Sequence, residues 1–68
     1  MTQVTLQGRE MSAKDAAEIV AREVESRGGN QWAYMVSLGE ILNEWCEPDA
    51  RFSVKDAVYQ QKLNARLN

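Results

Sequence analysis

The stretch SAKDAAEIVAREVESRGGN, residues 12–30, encodes one complete helix together with the signals that start and stop it. Ser12 is followed three residues later by an acid, a helix-start pattern in which the serine oxygen accepts an amide hydrogen bond of the first turn. The glycine pair at 28–29 supplies the positive φ angles at which helices commonly end. The stretch therefore predicts a helix over residues 12–27. Its inward stripe is made of small apolar residues, which let neighbouring helices approach closely: Ala13, Ala16, Ala17, Val20 and Val24.

The beginning of this pattern occurs twice in the chain, as MSAKDAA over residues 11–17 and as FSVKDAV over residues 52–58. In both copies a serine can cap a helix, and an acid favours the positive end of the helix dipole. The apolar residue before each serine can pack on the first turn as a hydrophobic staple. We interpret the repeat as two helix caps, with an ancient duplication as the alternative. It predicts a further helix over residues 53–67, capped by Ser53.

A helix is also predicted between these two, over residues 30–46. Asn30 is its expected cap, and Pro48 prevents it from continuing. This helix carries the largest apolar face in the chain, which we expect to form the centre of the core: Tyr34, Met35, Leu38, Ile41, Leu42 and Trp45.

Residues 1–10 follow a different pattern, because TQVTLQ alternates Val4 and Leu6 with polar side chains, as strands do. No second segment alternates as well, and a lone strand leaves its backbone groups unpaired. We expect either a flexible arm or a strand that pairs with its symmetry mate in a dimer. The predicted fold is all-α, a single three-helix domain over residues 1–68 with a short N-terminal strand or tail, and dimeric.

Length and composition restrict the class of protein. A chain of 68 residues buries only about 60% of its unfolded surface, so small domains commonly gain further burial by self-association. With one cysteine, the chain forms no intramolecular disulfide, which favours an intracellular setting. The beginning of the sequence lacks a signal-peptide pattern, and no apolar stretch approaches the ~18 residues of a membrane span. We expect a soluble, cytoplasmic protein that does not contact membranes.

No group of residues predicts catalysis. The chain has no histidine, and its cysteine, Cys46, lies at the end of an apolar helix face with Glu44 and Glu47 beside it. Neighbouring negative charge raises the pKa of a thiol and opposes thiolate formation, so a core role is expected. No calcium-loop spacing or phosphate-binding loop is present. We predict no catalytic residue, no metal ligand and no cofactor, and therefore a protein that is not an enzyme.

Residues outside the apolar stripes favour binding to another protein. Trp32 and Val36 lie off the main stripe of the second helix, where a large apolar residue commonly marks a contact patch. Acidic residues follow them along the chain, and the predicted partner-binding set is Trp32, Val36, Glu40, Glu44, Glu47 and Asp49. The predicted function is a non-catalytic adaptor, inhibitor or regulator of bacterial or phage type. The identity of its partner is not encoded in these residues.

The third helix has two apolar faces, and three short helices cannot cover both. Val54 and Val58 are expected to face the core, whereas other apolar residues lie roughly opposite. We predict a homodimer whose interface combines this second face with the N-terminal strand: Tyr59, Leu63 and Leu67, with Val4 and Leu6.

Charge is distributed unevenly. Residues 1–50 contain nine acids and four bases, whereas residues 51–68 contain four bases and one acid. Lys55, Lys62 and Arg66 fall on one side of the third helix, which makes DNA binding the alternative function. A strand followed by two helices resembles the ribbon-helix-helix repressors, and SAKDAAEIVA is similar to the start of a helix-turn-helix module. The acidic remainder repels a polyanion, so nucleic acid is the less favoured partner.

Overall fold

A computed structural model describes residues 2–67, in the case of Leu67 only the backbone. Within these residues a two-stranded antiparallel sheet precedes three helices. The strands are β1 (Gln3–Leu6) and β2 (Arg9–Ser12). The helices are α1 (Ala13–Arg27), α2 (Gln31–Trp45) and α3 (Arg51–Leu67). The three predicted helices are thus confirmed, and the hairpin is an addition to the all-α prediction.

The N-terminal segment is half of a β-hairpin. β1 pairs with β2 of the same chain in the register Val4 to Met11 and Leu6 to Arg9, so the prediction of a flexible arm or a strand paired with a symmetry mate is wrong. Gln7 and Gly8 connect the strands, and both have positive φ (51° and 79°), as a type I′ turn requires. The sequence hides this hairpin because Gln is an unusual residue at the first turn position, and β2 does not alternate apolar and polar residues.

The other edge of β1 is covered within the same chain. Leu6 forms a β-bridge with Cys46, and the Gln7 amide donates a hydrogen bond of 2.8 Å to the Trp45 carbonyl. Val4 and Leu6 are 5% and 1% exposed, because both side chains point into the core. Their predicted place in a dimer interface is therefore wrong.

α1 begins and ends where the sequence predicts. The Ser12 hydroxyl oxygen accepts a hydrogen bond of 3.1 Å from the Asp15 amide. At the C-terminal end Gly28 has a φ of 71°, and its amide donates to the Glu25 carbonyl. The helix packs against both α2 and α3. Its buried residues are the predicted small ones, Ala16, Ala17, Val20 and Val24.

α2 is also capped as predicted, because the Asn30 side-chain oxygen accepts a hydrogen bond of 2.9 Å from the Ala33 amide. Its buried residues are Leu38, Ile41 and Leu42. Tyr34 and Trp45 are partly buried and pack against this core. Met35 is 48% exposed, so its assignment to the core is wrong. The methionine lies on the side of α2 that faces α3, and the two helices leave it uncovered.

α3 begins at Arg51, two residues earlier than predicted, so Ser53 lies inside the first turn and does not cap the helix. The reason is a turn before it: the Ala50 amide donates to the Glu47 carbonyl, and the Val54 amide already donates to the Ala50 carbonyl. Phe52 is 79% exposed and forms no staple. The repeated phrase therefore marks a helix cap only in its first copy.

The core lies where the three helices meet the inner face of the hairpin. α3 contributes Val54 and Val58, both completely buried as predicted. The full cluster consists of Val4, Leu6, Ala16, Ala17, Val20, Val24, Leu38, Ile41, Leu42, Cys46, Ala50, Val54 and Val58.

Candidate protein-binding surface on α2 and α3

Exposed large apolar side chains are concentrated on two helices. Of those in the described part of the chain, Ile19 lies on α1 and the others lie on α2 and α3: Trp32, Met35, Val36, Phe52, Tyr59 and Leu63. Trp32 and Phe52 are the most exposed, at 74% and 79%. Apolar residues scattered singly are normal on a protein surface, whereas a concentration of them marks an interaction site.

α2 and α3 run antiparallel, and Trp32 and Val36 do not line the groove between them. Four of the exposed apolar residues line this groove: Met35, Phe52, Tyr59 and Leu63. The groove consists of two hollows, one of about 200 Å³ beside Tyr34 and Leu63, and one of about 250 Å³ beside Leu38. Met35 and Tyr59 line both hollows. The Tyr59 hydroxyl donates to the Met35 sulfur at 3.4 Å, so this pair forms a bridge between the hollows. We call the two hollows together the α2–α3 groove.

The groove has a basic wall, supplied by α3. All four bases of residues 51–68 line it: Arg51 and Lys55 at one hollow, Lys62 and Arg66 at the other. The single acid of that segment, Asp56, lines a different groove. Among the described residues, no aspartate or glutamate lines the α2–α3 groove. The uneven charge of the sequence therefore becomes a positively charged groove.

Three of the basic side chains also contact the protein itself. The Lys62 ammonium lies 3.6 Å from the centroid of the Tyr34 ring, and that of Lys55 lies 5.9 Å from the Tyr59 ring. Both are cation–π contacts, which hold the lysines over the groove. A guanidinium nitrogen of Arg51 donates to the Asn43 carbonyl at 3.2 Å. The wall is thus partly positioned before any partner arrives.

The predicted partner-binding set is divided by the structure. Trp32, Val36, Glu40 and Glu44 succeed one another at four-residue intervals, which places them along one outer row of α2. The apolar half of the row, Trp32 and Val36, is exposed and lines neither hollow of the groove. The acidic half turns toward α1, where a Glu40 carboxylate oxygen lies 3.7 Å from a guanidinium nitrogen of Arg27.

The remaining two acids of that set lie elsewhere. Glu47 and Asp49 follow the end of α2 and, with Glu10 of β2, line a separate groove beside the hairpin. Trp32 lies in the first turn of α2 and Glu47 lies two residues beyond its end, so they are separated by nearly the whole helix, roughly 22 Å. The six predicted residues therefore do not form a single patch.

The predicted dimer and DNA-binding residues converge on the groove. Tyr59 and Leu63 line it and are 36% and 51% exposed, while the side chain of Leu67 lies outside the described residues. Lys55, Lys62 and Arg66 lie on the same wall, as their spacing predicts. Several groove residues were not predicted as site residues, among them Met35, Arg51 and Phe52. Their signal was weak because Met35 fits the core stripe, and the other two precede the predicted start of α3.

Residues 2–67 do not have the arrangement of a ribbon-helix-helix repressor. That fold pairs one strand from each of two subunits, whereas β1 pairs with β2 of its own chain and with Cys46. A helix-turn-helix module is also not supported. α2 would be its DNA-contacting helix, but α2 carries Glu40 and Glu44 and no lysine or arginine. These observations oppose both architectures that motivate the DNA-binding alternative.

Outside the α2–α3 groove, the described residues form other grooves and include one buried cysteine. A further groove of about 430 Å³ is open and lies between α1 and α3 beside Lys14 and Asp56. No cluster of three potential metal ligands occurs among the described residues. Cys46 is 6% exposed, and burial raises the pKa of its thiol, while the nearby Arg51 lowers it in part. Burial, and not the neighbouring glutamates, is thus the cause of the raised pKa.

Tyr34 lies at the boundary between the core and the groove. Burial raises the pKa of its hydroxyl, and the charges of Glu25 and Tyr59 add to this effect. The hydroxyl is buried and has no hydrogen-bond partner among the described residues. Its ring meanwhile supports Lys62.

Comparison with known proteins finds no match: no family model fits the sequence, and no curated protein or solved structure resembles it. None of the described helices has the length and apolar character needed to cross a membrane. The interpretation of function therefore depends on the geometry of the surface.

Proposed function

We propose that the protein is a non-catalytic protein-binding module, an adaptor, inhibitor or regulator that docks on another protein through α2 and α3. The observation that carries the proposal is the concentration of exposed apolar side chains that line the α2–α3 groove: Met35, Phe52, Tyr59 and Leu63. Tyrosine is enriched among the residues that dominate binding energy at protein interfaces. A cytoplasmic setting is part of this proposal, supported by a lone, free cysteine.

Self-association through the same surface is a competing proposal, because Tyr59 and Leu63 are exposed as the predicted homodimer requires. A two-fold contact places the same patch of both subunits face to face. Each copy would then present its basic wall to the other, and like charges in contact oppose association. A different protein is therefore favoured over a second copy.

DNA binding remains the alternative proposal. Lys55, Lys62 and Arg66 could contact phosphates, but phosphates do not cover apolar side chains such as Trp32 and Leu63. A duplex is longer than the groove, and the rest of the chain repels it, because residues 1–50 contain nine acids and four bases. We expect negligible binding of duplex DNA at physiological salt. A mobility shift at micromolar protein that weakens steeply with salt would favour the DNA-binding alternative instead.

Affinity capture from cells that express the protein tests the proposal. We expect the wild type to retain a partner that Leu63→Asp loses, since a charge in the groove opposes apolar contact. Ile19→Asp is the matched control, because Ile19 has a comparable exposure (41% against 51%) but lies on α1 and lines neither hollow. If the wild type and both variants retain the same proteins, or the wild type retains none, the proposal is wrong.

A further inference from the structure

We infer that the α2–α3 groove binds an acidic amphipathic helix of the partner protein, with apolar side chains in the two hollows and carboxylates against the basic wall. This inference rests on the proposed protein-binding function and specifies the chemistry of the partner. It combines two observations: the positive charge along the groove, and the division of the groove into two hollows by the contact between Met35 and Tyr59.

The charge specifies an acidic partner. Four cationic side chains line the groove, and no described acidic side chain does. They form two pairs, Arg51 with Lys55 and Lys62 with Arg66, and each pair is spaced by four residues on one helix. Complementary charge speeds association and fixes orientation across an interface. A helix with carboxylates along its flank satisfies both pairs at once.

The distance between the two hollows specifies the spacing of the apolar side chains that the partner helix would insert into them. The Tyr59–Met35 bridge divides the groove, so that one hollow lies near Tyr34 and the other near Leu42. These positions are about two helical turns apart, roughly 11 Å. Apolar residues at i and i+7 of a partner helix have the same separation, and helices commonly dock in grooves by such anchors. The wall from Arg51 to Arg66 is about 22 Å long, which a helix of about 15 residues spans.

The same two observations argue against other occupants. The phosphates of a nucleic-acid duplex can contact the lysines and arginines but leave the exposed Leu63 and Phe52 uncovered. A second copy of this chain covers the apolar residues but brings two basic walls together. Only an occupant that is both apolar and acidic matches the whole groove.

A direct binding measurement tests the inference. The probe is a fluorescein-labelled synthetic helix of about 15 residues with leucines at i and i+7 and glutamates on both flanks, titrated with the full chain while anisotropy is recorded. We expect saturable binding that weakens as salt is added. Replacing the glutamates of the probe with lysines abolishes the binding, and moving the leucines to opposite faces weakens it about tenfold or more.

Variants of the chain then locate the contact. Lys55→Glu, Lys62→Glu and Arg66→Glu, made together, weaken binding of the acidic probe about tenfold or more. The matched control reverses three exposed bases outside the groove, Arg9→Glu, Lys14→Glu and Arg22→Glu, and therefore changes the net charge equally. This control binds as the wild type does. Circular dichroism checks that both triple variants remain folded, and the changes to the probe test the same contact in the unaltered protein.

Each contrary result overturns the inference in a recognisable way. Equal loss of binding in the two triple variants means that binding of the probe depends on the net charge of the chain and not on the basic wall of the groove. Preference for the lysine probe means that the partner is not acidic. Binding of a labelled DNA duplex in place of the probe identifies nucleic acid as the occupant. A dimer in sedimentation equilibrium that Leu63→Glu dissociates identifies a second copy. If affinity capture succeeds while the acidic probe fails, the protein-binding function stands and only this inference is wrong.

Discussion

The contacts that α1 makes with its neighbours differ from the contact between α2 and α3 in the size of the side chains involved. α1 presents Ala16, Ala17 and Val20, all completely buried, so its neighbours approach closely. Across the groove, α2 and α3 meet through Met35 and Tyr59, which are long side chains that remain 48% and 36% exposed. The first contact is closed, and the second is open to solvent.

This difference separates stability from binding. Complete burial of a leucine or a valine contributes about 1.5–3 kcal/mol to folding, and the residues against α1 receive that contribution in full. Leu63, at 51% exposure, receives much less of it within the subunit. We therefore expect substitutions in the core to change the free energy of unfolding, and substitutions in the groove to change binding.

The largest expected effect comes from a cavity in the core. Ile41 is completely buried, and Ile41→Ala should lower the free energy of unfolding by about 2–5 kcal/mol, because packing is lost and the site cannot fully collapse. Leu63→Ala removes a side chain of similar size from the groove and should lower that free energy by no more than about 1.5 kcal/mol, because about half of the side chain is already exposed. Urea unfolding followed by circular dichroism measures both. Equal losses would show that the groove is part of the core in solution.

The next effect concerns the two copies of the repeated phrase. Ser12→Ala removes a cap whose oxygen accepts the Asp15 amide, so it should cost about 1 kcal/mol and lower the melting temperature by about 4–8 °C. Ser53→Ala changes a residue inside the first turn of α3 and should shift stability by no more than about 0.5 kcal/mol. Thermal unfolding of both variants distinguishes them. A loss of the same size for Ser53→Ala would restore the interpretation of two caps.

The helices were largely predictable because their signals are local. The caps at Ser12 and Asn30 and the stop at the glycine pair 28–29 act within a few residues, and the small stripe of α1 follows from helical periodicity alone. The start of α3 was missed because a turn before it, and not the serine pattern, sets the first residue. Local chemistry cannot distinguish a capping serine from one in the first turn.

The hairpin and the groove depend on contacts between distant residues, which the sequence does not display. β1 is stabilised on one edge by β2 and on the other by Cys46, about forty residues away along the chain. The alignment of three bases on α3 was predictable from spacing, but their position beside Met35 required the packing of α2 against α3. The candidate site was therefore visible in the sequence as separate pieces, a basic stripe and scattered apolar residues.

A smaller, pH-dependent effect is expected at Cys46, which follows α2 and forms the β-bridge with Leu6. Burial raises the pKa of its thiol above the ordinary value of 9.0, so the folded state keeps the proton after the unfolded state has lost it. The stabilising contribution is complete below pH 9 and is lost as pH rises toward the pKa of the folded state. The wild type should therefore lose more stability than Cys46→Ala between pH 7 and pH 10 in urea unfolding. Parallel losses would mean that the thiol is not buried in solution.

The smallest effect belongs to Tyr34, at the boundary between the two regions. Its hydroxyl is buried without a hydrogen-bond partner among the described residues, and such a group costs free energy in the folded state. Tyr34→Phe keeps the ring beneath Lys62 and removes the hydroxyl, so it should raise the free energy of unfolding by about 0.5 kcal/mol. Because the ring remains, binding of the acidic probe should be unchanged. A clear loss of stability in urea unfolding would instead show that the Tyr34 hydroxyl is hydrogen-bonded in solution. Tyr34 would then belong to the stabilising core and not to its boundary.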